Sequence, residues 1–156
     1  MQTVYLETSV IGYLASRRSA DLIVAGSQQA THDWWNKHRA KFALFIAPPV
    51  LDECSAGDST AVAERLQFVA RITVLEIKTA AQVLAKEIMR RVPLPAKAEV
   101  DALHIAIAAE RGMDYLLTWN CKHIANPAFR RRIEIVIEEA KLVPPIICTP
   151  QELSNV

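Results

Sequence analysis

Glu7, Glu53, Asp101 and Asn120 are the residues whose types and placement suit chemistry. Glu7 ends the apolar stretch Val4-Tyr5-Leu6, where an ionised side chain must be solvated, paired or bound to a cation. Glu53 follows the apolar run 42–47 by one short turn, and Asp52 beside it is an equal candidate on composition. Asp101 falls in the first turn of the most apolar helical segment, and Asn120 just past the apolar run 115–118. Three carboxylates brought together repel one another and raise one another's pKa unless a cation neutralises them. Hard oxygen ligands suit Mg²⁺ or Mn²⁺, and no His or Cys spacing competes for zinc. Because Mg²⁺ keeps several waters, Glu7 and Asp101 are expected to bind it directly while Glu53 orients a water. A water activated in this way is a nucleophile, and the cation stabilises the charge that develops as it attacks.

Each residue also has a plainer role. Asp101 can serve a helix N-terminus electrostatically, Glu53 can be a solvated surface residue, and Asn120 is a natural turn residue. Glu7 is the hardest to dismiss. Thr8 or Ser9 can cap the helix that follows without it, and glutamate is a mediocre N-cap.

The elements that must position these groups are legible as short apolar runs alternating with helical spacing. Strands are expected at 4–6, 42–47, 72–77, 114–120 and 146–148, and helices over 21–41, 79–91, 99–112 and 127–142. A short helix opens at Pro48-Pro49 and carries Glu53, and another follows Asp58-Ser59. This alternation implies an α/β architecture with a mainly parallel sheet, in which sites form outside the carboxyl ends of the strands. Asp114 begins its strand and should lie roughly 20 Å from Asn120, at the other end of the sheet.

The 156 residues suit one domain spanning 1–156, with 51% hydrophobic and 22% charged residues as in ordinary globular proteins. A formal charge of +1 leaves any nucleic-acid contact to local basic patches. Cys54, Cys121 and Cys148 form no CxxC pair, which argues against a disulfide framework and fits a reducing cytoplasm. No signal peptide or membrane span is expected, so the reading is a cytoplasmic protein.

Over almost its whole length the chain resembles the PIN-domain nucleases, in particular the VapC-like toxins of bacterial toxin–antitoxin pairs. YLETSV (5–10) is similar to the family's opening motif, and PPVLDEC (48–54) to the second, with the acid at Glu53 and not Asp52. EVDALHIAIAAERGMDYLLTWN (99–120) is similar to the third and fourth, with Asp101 and the loop Thr118–Asn120; TPQEL (149–153) resembles the family's tail. Two positions depart from the pattern: the first acid is usually aspartate, and the fourth, often aspartate, is here the neutral Asn120. The resemblance implies a PIN-like three-layer fold with strand order 3-2-1-4-5 and Mg²⁺- or Mn²⁺-dependent RNA hydrolysis to a 5′-phosphate and a 3′-hydroxyl. It also implies a cognate antitoxin and a homodimer.

Around this core, Thr8 and Thr118 can bond a ligand carboxylate or a phosphate, or serve only in capping and turn formation. Lys97, Arg17, Arg18 and Arg130–Arg132 are candidate phosphate contacts, the arginine run reading slightly better as a solvated helix face. Cys121 and His123 flank the fourth motif, but a lone loop histidine reads as structural or exposed. Trp34 and Trp35, with Leu22 and Ile23, belong mostly to the core, one tryptophan remaining partly exposed and able to line a partner groove. The alternative function is a catalytically weakened PIN-like module that binds RNA or a protein without cutting, because Glu7 and Asn120 compromise the cation site. A receiver-like signalling domain would need an aspartate ending a central strand and a lysine after the last; Glu76-Ile77 and Thr149 stand there instead.

Overall fold

A computed structural model describes residues 1–156. Five parallel strands form one sheet: β1 (Thr3–Leu6), β2 (Ala43–Ile46), β3 (Thr73–Val74), β4 (Tyr115–Leu117) and β5 (Ile146–Cys148), in the order β3-β2-β1-β4-β5. The chain builds outward from β1 through β2 to β3, then crosses back to lay β4 on the other side of β1. Strand order therefore reverses between β1 and β4, whose register pairs Leu6 with Leu117. In open parallel sheets a crevice forms at such a reversal, outside the strands' carboxyl ends. The next residues there are Glu7 and Thr118.

Eight α-helices flank the sheet: α1 (Thr8–Ala15), α2 (Leu22–Lys37), α3 (Pro48–Cys54), α4 (Ser59–Val69), α5 (Thr79–Arg91), α6 (Glu99–Glu110), α7 (Pro127–Glu139) and α8 (Pro150–Leu153). α1 packs on α2, α3 and α4, and α2 also on α8, while α5 packs on α6 and α7. Between them lies one core of 38 buried residues. The central strands β1 and β4 are almost wholly buried, which is why they read as unbroken apolar runs. α6 is buried nearly all round; from Ala102 to Ala109 only Leu103 is not fully enclosed. No helix is long and apolar enough to cross a membrane.

Several expected elements are shorter than their apolar runs. Of residues 72–77 only Thr73 and Val74 are strand, both exposed, because β3 is an edge with a single neighbour. β2, expected to be covered on both faces, is only half-buried along Ala43–Phe45. β4 is confined to Tyr115–Leu117, so Thr118–Asn120 belong to the loop. α2 stops at Lys37 and a 3-10 turn (Arg39–Lys41) follows. α6 ends at Glu110, where Gly112 takes φ 68° and the Met113 N–H returns to the Ala108 carbonyl at 2.9 Å, satisfying the helix end. α7 ends at Glu139, with Lys141 left-handed at φ 64°. Asp114 is at the opposite end of the sheet, accepting hydrogen bonds from the Thr3 N–H (2.8 Å) and hydroxyl (3.1 Å).

The apolar residues of α2 divide differently from expectation. Trp34 and Trp35 are both buried, Trp34 stacked on Phe42 and Trp35 edge-on to Phe68 with the Arg39 guanidinium 4.4 Å above its ring. Leu22 and Ile23 are instead 87% and 83% exposed. They occupy the first turn, capped by Asp21, and lie outside the core.

Ile105 is fully buried on α6, whereas Val100 on the same helix is exposed. Ile105→Ala is expected to cost about 2–5 kcal/mol in urea unfolding, and Val100→Ala no more than about 0.5 kcal/mol.

Candidate active site

Glu7 is only 4% exposed, yet it ends a core strand. Its burial is compensated by three donors on one oxygen. Oε2 accepts from the Ser9 N–H (2.9 Å), the Ser9 hydroxyl and the Thr118 hydroxyl (2.9 Å). Glu7 is thus itself the N-cap of α1, a role expected of Thr8 or Ser9, because the extended backbone at ψ 155° lets its carboxylate fold back onto Ser9. Ser9 Oγ also accepts from the Trp119 N–H (2.8 Å), and Thr118 Oγ1 from the Asn120 N–H (2.9 Å). One carboxylate therefore stitches the start of α1 to the loop after β4.

Glu53 reaches the same end of the sheet from α3, which begins two residues after β2. Its Oε1 accepts from the Thr8 hydroxyl (2.7 Å) and meets His104 Nε2 at 2.6 Å. Burial raises the Glu53 pKa, but the His104 and Thr8 hydrogen bonds outweigh it and hold the carboxyl below its ordinary range. The other His104 nitrogen, Nδ1, lies 2.7 Å from the Tyr5 hydroxyl. The Arg65 guanidinium on α4 donates to the carbonyls of Cys54 (3.0 Å) and Ala56, pinning the end of α3.

Asp101 and His104 are three apart on α6 and so share a face. Asp101 Oδ2 is 2.8 Å from His123 Nδ1, and His123 N–H donates to Asn120 Oδ1 at 3.0 Å. The bonded path is continuous apart from short chain steps: Asp101 to His123 to Asn120, Thr118 to Glu7, then Thr8 to Glu53 and His104. Tyr13 stacks on Trp119 at 5.8 Å beside it, and Trp119 Nε1 is held by Thr31 Oγ1 (2.7 Å).

Glu7, Glu53, Asp101, Asn120, Thr8 and Thr118 thus belong to one network. Lys97 does not: it is exposed on the 3-10 turn Ala96–Ala98, with no ion pair or side-chain hydrogen bond. Arg17 and Arg18 are exposed, and Arg131 faces Glu134 and Glu138 only at 3.8 and 4.0 Å. Sequence reasoning overlooked Tyr5 and His104, gave Ser9 only a capping role, and set His123 aside. The available signals were spacings: a histidine three residues after Asp101 in an otherwise apolar stretch, and another three after Asn120.

A PIN domain family model matches residues 4–129. The chain belongs to the PIN domain family. Among solved structures, this PIN domain is similar to the VapBC2 complex of Rickettsia felis bound to a DNA fragment from its promoter. The TM-score is 0.58 at 13% identity, covering 95% of this chain and 98% of that one. It is also similar to VapC20 of Mycobacterium tuberculosis, a sarcin-ricin loop cleaving toxin, with TM-score 0.57 at 18% identity over 80% and 95% of the two chains. At these identities the likeness shows the fold. No curated protein matches the sequence.

A divalent cation, implied by the family, can be tested against the donor set. No three His, Cys, Asp or Glu side chains are gathered so as to hold a metal ion between them. The chemistry nonetheless fits. Each carboxylate gives one oxygen to protein donors, and Glu7 Oε1, Glu53 Oε2 and Asp101 Oδ1 have no hydrogen bond from the protein. All three remaining donors are hard oxygens, as Mg²⁺ and Mn²⁺ prefer.

Ser9→Ala removes a hydroxyl that serves both Glu7 and the Trp119 N–H. A loss of about 1–3 kcal/mol is expected in chemical unfolding of the metal-free protein. Because the folded pKa of Glu53 is depressed, its stabilisation is present above the unfolded carboxyl pKa and is lost as pH falls through the folded value. The stability gap between the parent and Glu53→Gln, measured without metal, is expected to narrow over that acidic window.

Proposed function

We propose that this PIN domain is a Mg²⁺- or Mn²⁺-dependent endoribonuclease acting as the toxin of a toxin–antitoxin pair. The carrying observation is the trio of carboxylates at the carboxyl end of the sheet, each braced through one oxygen with the other unbonded. The toxin reading draws on the two VapC-containing structures that share the fold. On this reading the cognate antitoxin is the protein partner and the functional form is a homodimer.

Glu7 and Asp101 would hold the cation, with Glu53 acting through a water. When bound, the cation would supply Lewis acidity toward water and the scissile phosphate and offset the charge of the carboxylates that hold it. Glu53 Oε2 accepts a hydrogen bond from the attacking water and aims it in line with the bond to be broken. The water oxygen bonds to phosphorus and gives up a proton through Glu53 to solvent; the P–O3′ bond breaks, and the O3′ leaving group takes a proton from solvent, giving a 5′-phosphate and a 3′-hydroxyl. Asn120 presents its amide to the backbone: Oδ1 is used by the His123 N–H, so Nδ2, without a protein partner, can donate to a phosphate oxygen. Lys97, exposed and unpaired just before α6, is the cation best placed in sequence to meet the same strand.

The second reading, a module that binds without cutting, is favoured by the neutral Asn120 and by the absence of a gathered three-acid cluster. Calorimetric titration with Mn²⁺ separates the two, since a non-cutting module binds it weakly or not at all.

Glu7→Gln and Asp101→Asn are each expected to lower cleavage of a labelled mixed-sequence RNA in Mn²⁺ by about a hundredfold or more, as loss of a metal ligand should. Parent-level cleavage by both variants would refute the assignment.

A further inference from the structure

His104 is a polar residue where the fold asks for an apolar one. It is 0% exposed in the most enclosed helix of the chain, and its partner Tyr5 is 0% exposed in the central strand. Burying an imidazole and a phenol is tolerable only when their polar atoms are paired. Here every one is paired, and the pairing leads outward to a single atom, Glu53 Oε1.

The direction of the bonds follows from the partners. The Glu53 carboxylate can only accept, so Nε2 carries the proton given to it; in the neutral imidazole Nδ1 is then an acceptor, and the Tyr5 hydroxyl, which has no other partner, donates to it.

Glu53 needs such support more than the other two acids. Its side chain is 40% exposed and has three rotatable torsions, on a helix of only seven residues. Thr8 and His104 converge on the same oxygen, so Oε1 is filled and Oε2 alone is left for the site. A line of donors from β1 through α6 to α3 thus selects one rotamer of a partly exposed glutamate. Asp101, one helical turn from His104, ties the same helix to His123 in the loop after β4.

We propose that His104, held by Tyr5, is a positioning residue that orients Glu53 so that Oε2 faces the reacting phosphate and its water. The inference rests on the nuclease reading above. It assigns neither residue a contact with RNA.

The test uses the full chain, with thermal unfolding, Mn²⁺ calorimetry, and kcat and KM on a labelled mixed-sequence single-stranded RNA. His104→Leu removes both bonds in similar volume. His104→Gln keeps an amide donor near the Nε2 position. Tyr5→Phe removes only the phenolic donor. For folded His104→Leu we expect kcat to fall about tenfold or more, KM to change less than about twofold, and Mn²⁺ affinity to weaken by about tenfold. His104→Gln should recover most of the kcat, and Tyr5→Phe should lie between parent and His104→Leu. Parent-like kcat and Mn²⁺ affinity in folded His104→Leu overturn the proposal, as does a His104→Gln variant that folds but is no better than His104→Leu. Should His104→Leu not fold, Tyr5→Phe decides alone: lowered kcat at constant KM supports the proposal, and parent-like kcat refutes it. A parent protein that neither binds Mn²⁺ nor cuts refutes the nuclease reading itself. A parent that cuts while the His104 and Tyr5 variants match it refutes only the positioning role.

Discussion

A carboxylate buried at the end of the central strand is the constraint around which this end of the molecule is arranged. Leaving Glu7 without partners in the core would cost several kcal/mol at least. Three donors on Oε2 offset that cost, and they come from two separate parts of the chain: Ser9 at the start of α1 and Thr118 after β4. The loop after β4 is therefore drawn onto the start of α1. The Ser9 and Thr118 hydroxyls pass the constraint on, accepting from the Trp119 and Asn120 amides. At the place where strand order reverses, side chains thus tie the backbone of Ser9, Trp119 and Asn120.

The other two acids are braced on the same pattern with different donors. Glu53 has a hydroxyl and an imidazole, and Asp101 an imidazole whose backbone N–H is anchored by Asn120. Each brace occupies one oxygen and leaves the second. Such outer hydrogen bonds fix the rotamer of a ligand before a cation arrives, and in metal sites they matter nearly as much as the ligands. The buried thiols take no part: burial pushes Cys54 up to about 11 and Cys148 up to about 12, well above neutral pH.

The framework can be read from residue order alone. β1 and β4 are legible because both faces of a central parallel strand are covered, so nearly every residue must be apolar. The same reasoning exposed Glu7 as an anomaly and put Asp114 at the far end of the sheet from counting residues alone. It failed at edges and ends. β3 is two residues long because an edge strand lacks a second neighbour, and α2, α6 and α7 stop where turns close rather than where apolar spacing fades. Leu22 and Ile23 look like core residues by type, but their helical turn lies outside the core.

Which groups hold the acids is settled by long-range packing. Tyr5 and His104 are 99 residues apart, His104 and Glu53 51, and Glu7 and Thr118 111. No local periodicity records such pairs. A histidine within an apolar helix reads as a tolerated core residue until a neighbouring strand supplies a phenol and another helix a carboxylate. Residue types limited the chemistry because oxygen ligands and backbone caps are properties of side chains. The partner of each oxygen is a property of packing, and packing exists only once the chain has closed.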